Sequence, residues 1–474
     1  MRALVFGLSF ALCGSLSARA QAEPLSLETV LRTSLDSHPK LAVARLGISE
    51  AEGVLQSARG EFDLGLVAEG ETAPLGYYDR TYGAIGLIQP TTLYGLEFRA
   101  GYRNGSQFPV YEGKKVTSEE GELSIAAILP LLRGGTVDGR RFGLTQAEFG
   151  KRVSEEQLKQ TRAELLGSAA SAYYKWVIFA HKRHVYEDLV RLAADRQIYL
   201  EEQVRSGQVA EIELVDNGRL VDSRRLALLE LELALKRESL NLSFYLRDSG
   251  RPLEPRIEDL PGLETRFTEA PKAIPTGDAL LDTPYLRVQS FVQKAIREEL
   301  RLAKNQLLPK LDLGVEATQG LGAARIYGER YSSETETRVT GKLGFALDMQ
   351  RRKVRGKLIS LEAKSKALDQ KIMMARELLA QELEALRATW ANANARVELA
   401  RRALEAARVM ANAERERLEL GQSSILQVNL REEAERNAEL SELDALLSYH
   451  LARAQYQSAL GRSEIRDYLP FAAK

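Results

Sequence analysis

The sequence predicts an internally duplicated α+β chain in which very long, paired helices are joined to a small set of alternating strands. Three observations carry that expectation. Landmarks recur at one offset: Gly207-Gln208 and Gly421-Gln422 stand 214 residues apart, as do the two tryptophans, Trp176 and Trp390, and also Leu246 and Leu460. Such self-similarity marks a repeated structural unit. Apolar residues recur in steps of three and four over stretches far longer than an ordinary helix. Between them lie short segments that alternate apolar and polar residues, as strands do.

Taken in order, the N-terminus "MRALVFGLSFALCGSLSARAQAEP" has one basic residue, Arg2, an apolar run from Ala3 to Leu12, and two overlapping small-x-small patterns, Ala18-Arg19-Ala20 and Ala20-Gln21-Ala22. It reads as a secretory signal over 1–22. Cys13 is the only cysteine. Leu12 precedes it where a lipoprotein needs a small residue, so the mature chain carries no thiol and no disulfide.

The first repeat spans 23–250 and the second 276–474. "HPKLAVARLGISEAEGVLQSARGEFDLGLVAEGE" parallels "TPYLRVQSFVQKAIREELRLAKNQLLPKLDLGVEATQG": each opens on X-Pro, runs through an amphipathic stretch to Ala-Arg or Ala-Lys, and ends in Asp-Leu-Gly. The connector at 251–275 holds Pro252, Pro255, Pro261, Pro271 and Pro275, a density that forbids a continuous helix.

Strands are expected at "FDLGLVAEGE", "YGAIGLIQP", "LYGLEFRAGYR" and "GELSIAAILPLL" in the first half, and at "KLDLGVEATQG" and "RVTGKLGFALDM" in the second. Alternation has two readings: a sheet with one wet face, or a lipid-facing barrel wall with a polar lumen. Six strands cannot close a lipid barrel alone, so the second reading requires several chains.

Long helices follow the strands. In the second copy Leu379, Leu383, Leu386, Trp390, Ala393, Val397, Ala400, Leu404, Ala407, Ala411 and Leu418 form a heptad seam, the pattern of left-handed coiled packing. That helix is expected from Arg352 to Leu420, roughly 100 Å long. In the first copy Leu165, Ala169, Ala172, Trp176, Phe179, Tyr186, Val190, Ala193, Leu200 and Val204 form a weaker seam, interrupted by Arg183 and Gln197. Each long helix is broken by a Gly-Gln.

Composition narrows the function. The chain is 44% apolar and balances 66 basic against 66 acidic residues, which gives no electrostatic reason for a nucleic-acid partner. No apolar run is long enough for a transmembrane helix. The four histidines are His38, His181, His184 and His450; "HKRH" has no further ligand at metal spacing and reads as a wet helix face. No phosphate loop occurs. No catalytic, cofactor or metal residue is expected, and the chain is not read as an enzyme.

The stretches "LSLETVLRTSLDSHPKLAVAR", "ILPLLRGG", "RSGQVAEIELV", "LLPKLDLGVEA", "LGQSSILQV" and "YQSALGR", in that order and with the duplication and the signal peptide, resemble the outer-membrane efflux protein family (TolC-like) over nearly all of the mature chain. The resemblance implies an α+β membrane protein: a homotrimer with one shared β-barrel in the outer membrane, continuous with a long α-helical coiled-coil barrel in the periplasm. It implies a channel passing substrates from an inner-membrane pump to the exterior, in efflux or type I secretion. The Gly-Gln breaks become hairpin tips, with Val204, Gly207, Gln208, Leu418, Gly421 and Gln422 contacting a periplasmic adaptor that couples to the pump.

Two departures from the family stand out. Its acidic residues after the second tip, which help close the tunnel, are replaced here by Gln427 and Leu430, whereas Glu213 and Asp216 follow the first tip. Either the constriction (Glu213, Asp216, Gln427) has moved to the first copy, or the tunnel closes differently. The first half also shows four strand-like segments where the family takes two from each half; "GLIQPTTLYGLEF" is an extra hairpin or a loop. The rival reading is a secreted or periplasmic coiled-coil scaffold without a barrel. The cargo is not legible.

Overall fold

The computed structural model describes residues 24–75, 80–106, 116–263, 277–326, 329–332 and 337–469. The expected signal peptide, Cys13, Pro271 and Pro275 lie outside the described residues.

Helix α1 (Leu27–Ser37) opens on Ser26, whose Oγ accepts from the Thr29 N–H at 3.1 Å, an N-cap that satisfies a backbone donor the helix cannot. In α2 (Pro39–Gly60) proline occupies the first turn, where its missing N–H costs nothing, and His38 Nδ1 accepts from Lys40 N–H at 3.1 Å. Four strands follow: β1 (Gly65–Ala73), β2 (Arg80–Pro90), β3 (Glu97–Ser106) and β4 (Glu122–Pro130). Asp138 then caps α3 (Gly139–Arg205), accepting from Arg141 N–H at 2.9 Å, and α4 (Glu211–Ser243) returns.

A two-stranded ribbon, β5 (Arg247–Asp248) and β6 (Arg251–Pro252), leads from the first repeat into the connector, which then forms a 3₁₀ turn at Ile257–Asp259. After it come α5 (Pro284–Asn305), β7 (Lys310–Gly320), a small hairpin of β8 (Ala324–Ile326) and β9 (Glu329–Ser332), β10 (Thr337–Ala346), α6 (Arg352–Glu419) and α7 (Ile425–Ala459). Helices α3 and α6 have 67 and 68 residues, each about 100 Å at 1.5 Å per residue.

Six strands form one antiparallel sheet in the order β1-β2-β3-β4-β7-β10. The first half therefore contributes four. "GLIQPTTLYGLEF" is a true hairpin, β2 to β3, whose turn is closed by Thr91 N–H and Thr91 Oγ donating to Leu96 O at 3.0 and 2.7 Å. Tyr94 and Gly95 take φ of 51° and 72° there. The β8–β9 hairpin was not foreshadowed by alternation, because its strands are too short to show a period.

In the helical body α3 packs on α4 and on α7, and α7 packs on α6, so the four long helices lie in the order α4-α3-α7-α6. The second seam forms the core of this packing: Leu383, Trp390, Val397, Leu404 and Ala411 are all nearly inaccessible. The residues interrupting the first seam are bonded rather than exposed. Arg183 pairs with Glu187 at 2.7 Å and Glu232 at 3.6 Å, and Gln197 Oε1 accepts from Asn217 Nδ2 at 2.8 Å. The wet-face reading of "HKRH" holds only for His184, which bonds Glu187 at 3.1 Å on an exposed face. His181 is instead half-buried, 3.0 Å from the Pro261 carbonyl of the connector, because the returning chain covers that side of α3.

His450 is buried in the core, its ring stacked on Tyr174 at 3.6 Å. Burial, and then the Arg453 charge, push its pKa down to about 3. The unfolded chain binds this proton near pH 6.5, so the stability contributed by the neutral ring is present above that value and is lost as the pH falls toward 3. His38 and His181 are lowered in the same direction, chiefly by burial. The melting temperature should therefore drop across this window, and His450→Phe, which keeps the stack, should flatten the drop. A pH dependence unchanged by that substitution would contradict the assignment.

Candidate functional site: a two-faced sheet and two helical turns

Pairing across the sheet fixes which side chains share a face. One face carries Leu66, Ile85, Leu87, Phe98, Ala100, Ile125, Ala127, Leu313, Val315, Val339, Leu343 and Phe345. The larger of these are exposed, Val339 at 71% and Leu343 at 69%. No charged residue of the six strands lies on that face. All twelve lie on the other: Glu69, Glu71, Arg80, Glu97, Arg99, Arg103, Glu122, Lys310, Asp312, Glu316, Arg338 and Lys342, six acidic and six basic.

The charged face is knit across strands. Arg103 meets Glu122 at 2.8 Å and Glu316 at 4.0 Å, and Glu316 is paired with Lys342. An exposed apolar face opposite a charged one, on strands of about ten residues, is the pattern of a wall with hydrocarbon on one side and water on the other. On the apolar face Phe98 and Phe345 lie near the helix end of the sheet, and Tyr102 lies midway along β3, opposite Ile85 of β2. Among the described residues no helix is long and apolar enough to cross a membrane, a fact that does not bear on strands.

At the opposite end of α3 the chain reverses at Gly207, with φ +76°. Gly207 N–H donates to Val204 O at 3.0 Å and Gln208 N–H to Gln203 O at 2.9 Å. The second turn repeats this arrangement: Gly421 has φ +73°, its N–H donates to Leu418 O at 2.9 Å, and Gln422 N–H to Arg417 O at 2.8 Å. This is the Schellman helix end, which requires a residue at positive φ and so favours glycine. Val204 and Leu418 thus each supply one of the two acceptors that fix their turn, and Gln203 and Arg417 supply the other. Nothing lies within 4 Å of a Cβ built on either glycine.

The positions expected to narrow the tunnel follow these turns. Glu213 is exposed in the first turn of α4, where a carboxylate suits the helix dipole. Asp216 is exposed and pairs with Arg219 at 3.1 Å. Gln427 is exposed in the first turn of α7, its N–H donating to the Ser424 cap at 3.3 Å. The structure brings each turn's residues together, but it does not join Glu213 to Asp216.

Further along the hairpins lies a buried charge cluster. Glu432 on α7 is 3% exposed and accepts from Arg196 on α3 at 2.7 Å and Arg415 on α6 at 3.0 Å; Arg415 also reaches Glu435 at 3.2 Å. Arg224 on α4, buried beside it, donates to Leu189 O at 2.9 Å, and burial, then Arg196, lowers its pKa. Sequence reading missed this cluster. Only the interruption of helical seams by charge hints at it.

The outer membrane efflux protein family model matches residues 95–246 and 276–462, well over half of the chain. The chain belongs to the outer membrane efflux protein family. Solved structures with a similar fold include the CmeC outer membrane channel of Campylobacter jejuni (11% identity, 98% of this chain and 94% of that one, TM-score 0.64). The open-state MtrE outer membrane channel of Neisseria gonorrhoeae is similar at 16% identity, with 94% and 90% covered and TM-score 0.64. The outer membrane protein VceC of Vibrio cholerae is similar at 15% identity, with 92% and 97% covered and TM-score 0.61. Direct comparison with curated protein sequences gives no match. Membership makes the chain a non-enzymatic outer-membrane efflux channel, and the scaffold without a barrel is not favoured.

Proposed function

We propose that three copies of this chain form the outer-membrane component of a tripartite efflux or secretion machine, with one shared barrel and one periplasmic helical tunnel. The observation that carries this is the two-faced sheet with both edges open. Among the described residues, strands β1 and β10 each have a single neighbour, and lipid does not tolerate unpaired strand edges. The six strands alternate in direction, so β10 of one copy meets β1 of the next antiparallel, as closure requires. The helical layer is open likewise: α4 and α6 are its edges, and Leu226, Leu229, Leu233 and Leu240 leave an exposed apolar stripe along α4.

On this reading the two Schellman turns are the periplasmic tips that meet an adaptor, through which the channel couples to an inner-membrane pump. The matched turns support a division into repeats at 23–250 and 276–474, with the connector at 251–275 between them. Extracting the envelope tests the proposal: the protein should require detergent and crosslink as a trimer. A buffer-soluble monomer would overturn it.

The constriction belongs to the same proposal. Three copies of Glu213 and Asp216 converging on one mouth would concentrate negative charge there, relieved only in part by Arg219. Glu213→Gln with Asp216→Asn should lower cation selectivity or raise conductance in planar bilayers. If both stay at wild-type values, the two carboxylates do not line the mouth.

A further inference from the structure

Four helices of each copy lie side by side beneath the sheet in the order α2-α3-α5-α6, and each runs into one strand. Helix α2 leads into β1, β4 into α3, α5 into β7, and β10 into α6. The β2–β3 hairpin has no helix of its own. It is inserted between β1 and β4, and its turn is seated on the strand–helix junction. Arg140, in the first turn of α3, reaches Glu97 at 3.2 Å at the start of β3 and Glu61 at 3.9 Å just past α2. Gln89 Nε2 donates to the Phe62 carbonyl at 2.7 Å.

The hairpin is built as wall. Its outer face carries Ile85, Leu87, Phe98 and Ala100, and its inner face Arg99 and Arg103, in continuous register with β1 on one side and β4 on the other.

We propose that the β2–β3 hairpin is a widening insert, so that three copies of the six-stranded sheet close a barrel of 18 strands whose girth matches the helical ring below it. This rests on the trimeric barrel proposed above. Twelve helices spaced by about 9.5 Å form a ring of roughly 115 Å circumference, about 36 Å across. Eighteen strands spaced by about 4.8 Å and tilted by about 40° give nearly the same girth, whereas twelve strands give about 24 Å. At the same tilt, a twelve-stranded wall would be about a third narrower than the helical ring. With it, the exit is as wide as the tunnel and is lined by a wall of balanced charge. Such an exit suits bulky cargo of either charge sign.

Tryptophan scanning with brominated phospholipids tests the insert in the full-length protein. Leu87→Trp and Phe98→Trp on the insert should be quenched as strongly as Ile125→Trp on β4. Ala84→Trp, on the charged face, should not; native Trp176 and Trp390, buried among the helices, give a constant background. Quenching at position 125 but not at 87 or 98 would remove the hairpin from the wall and overturn the insert while leaving the channel intact. Quenching at none of the three would overturn the barrel itself. End-on images of the purified trimer provide a second reading, about 36 Å between opposite backbones against about 24 Å for a twelve-stranded wall.

Discussion

Gly207→Val combined with Gly421→Val is expected to reduce transport to near background while leaving trimers in the outer membrane. Both glycines sit at positive φ, +76° and +73°, where a side chain costs about 1–2 kcal/mol and a β-branched one more. The space around each is open, so nothing in the core resists the new side chain and the cost is relieved by distorting the turn. Loss of the Schellman hydrogen bonds then frays the last turn of α3 and of α6 and displaces Gln208 and Gln422. Single Ala variants, with a smaller steric demand, should give intermediate losses. Normal transport with unchanged adaptor crosslinking in the double variant would remove these turns from the coupling interface.

The second large effect is on stability. Glu432→Ala should destabilise the helical body by about 3–5 kcal/mol, the usual result of removing one partner from a buried charge cluster. Arg196 and Arg415 lose their shared acceptor, and Arg224 loses a nearby compensating charge. The cluster ties α3, α6 and α7 together, so the loss should appear as faster hydrogen exchange in the tip-proximal halves of all three helices. Breaking the exposed Arg191–Asp188 pair should cost no more than about 1 kcal/mol. Equal effects from the two would mean that Glu432 is better solvated than its burial indicates.

The helices were legible because a heptad seam is a local, repeated signal: Leu383, Trp390, Val397, Leu404 and Ala411 announce one buried stripe on one helix. The turns were legible because a Schellman end needs glycine, and the two Gly-Gln pairs stand at one offset. The strands were legible as alternation, but their two faces were not, since assigning Leu87, Ala100 and Ile125 to one face requires knowing that β2, β3 and β4 pair in register. The β2–β3 hairpin was ambiguous for a related reason: "QPTTLYG" reads equally as a tight turn or a loop until Thr91 and Leu96 are seen bonded. The Glu432 cluster was not legible, because its partners come from three helices and Arg196 is 236 residues away. His181 was misread because the connector that covers it is remote in sequence.

The chain is expected to assemble threefold, with the sheet at one end and both glycine turns at the other. Side-view electron microscopy of the detergent-extracted particle tests it most directly. We predict a cylindrical trimer, with a detergent-belted barrel at one end and a helical tube of roughly 100 Å, the length of α3 or α6, ending in the turns at Gly207 and Gly421. A compact globular monomer, or a particle with its glycine turns beside the belt, would contradict it.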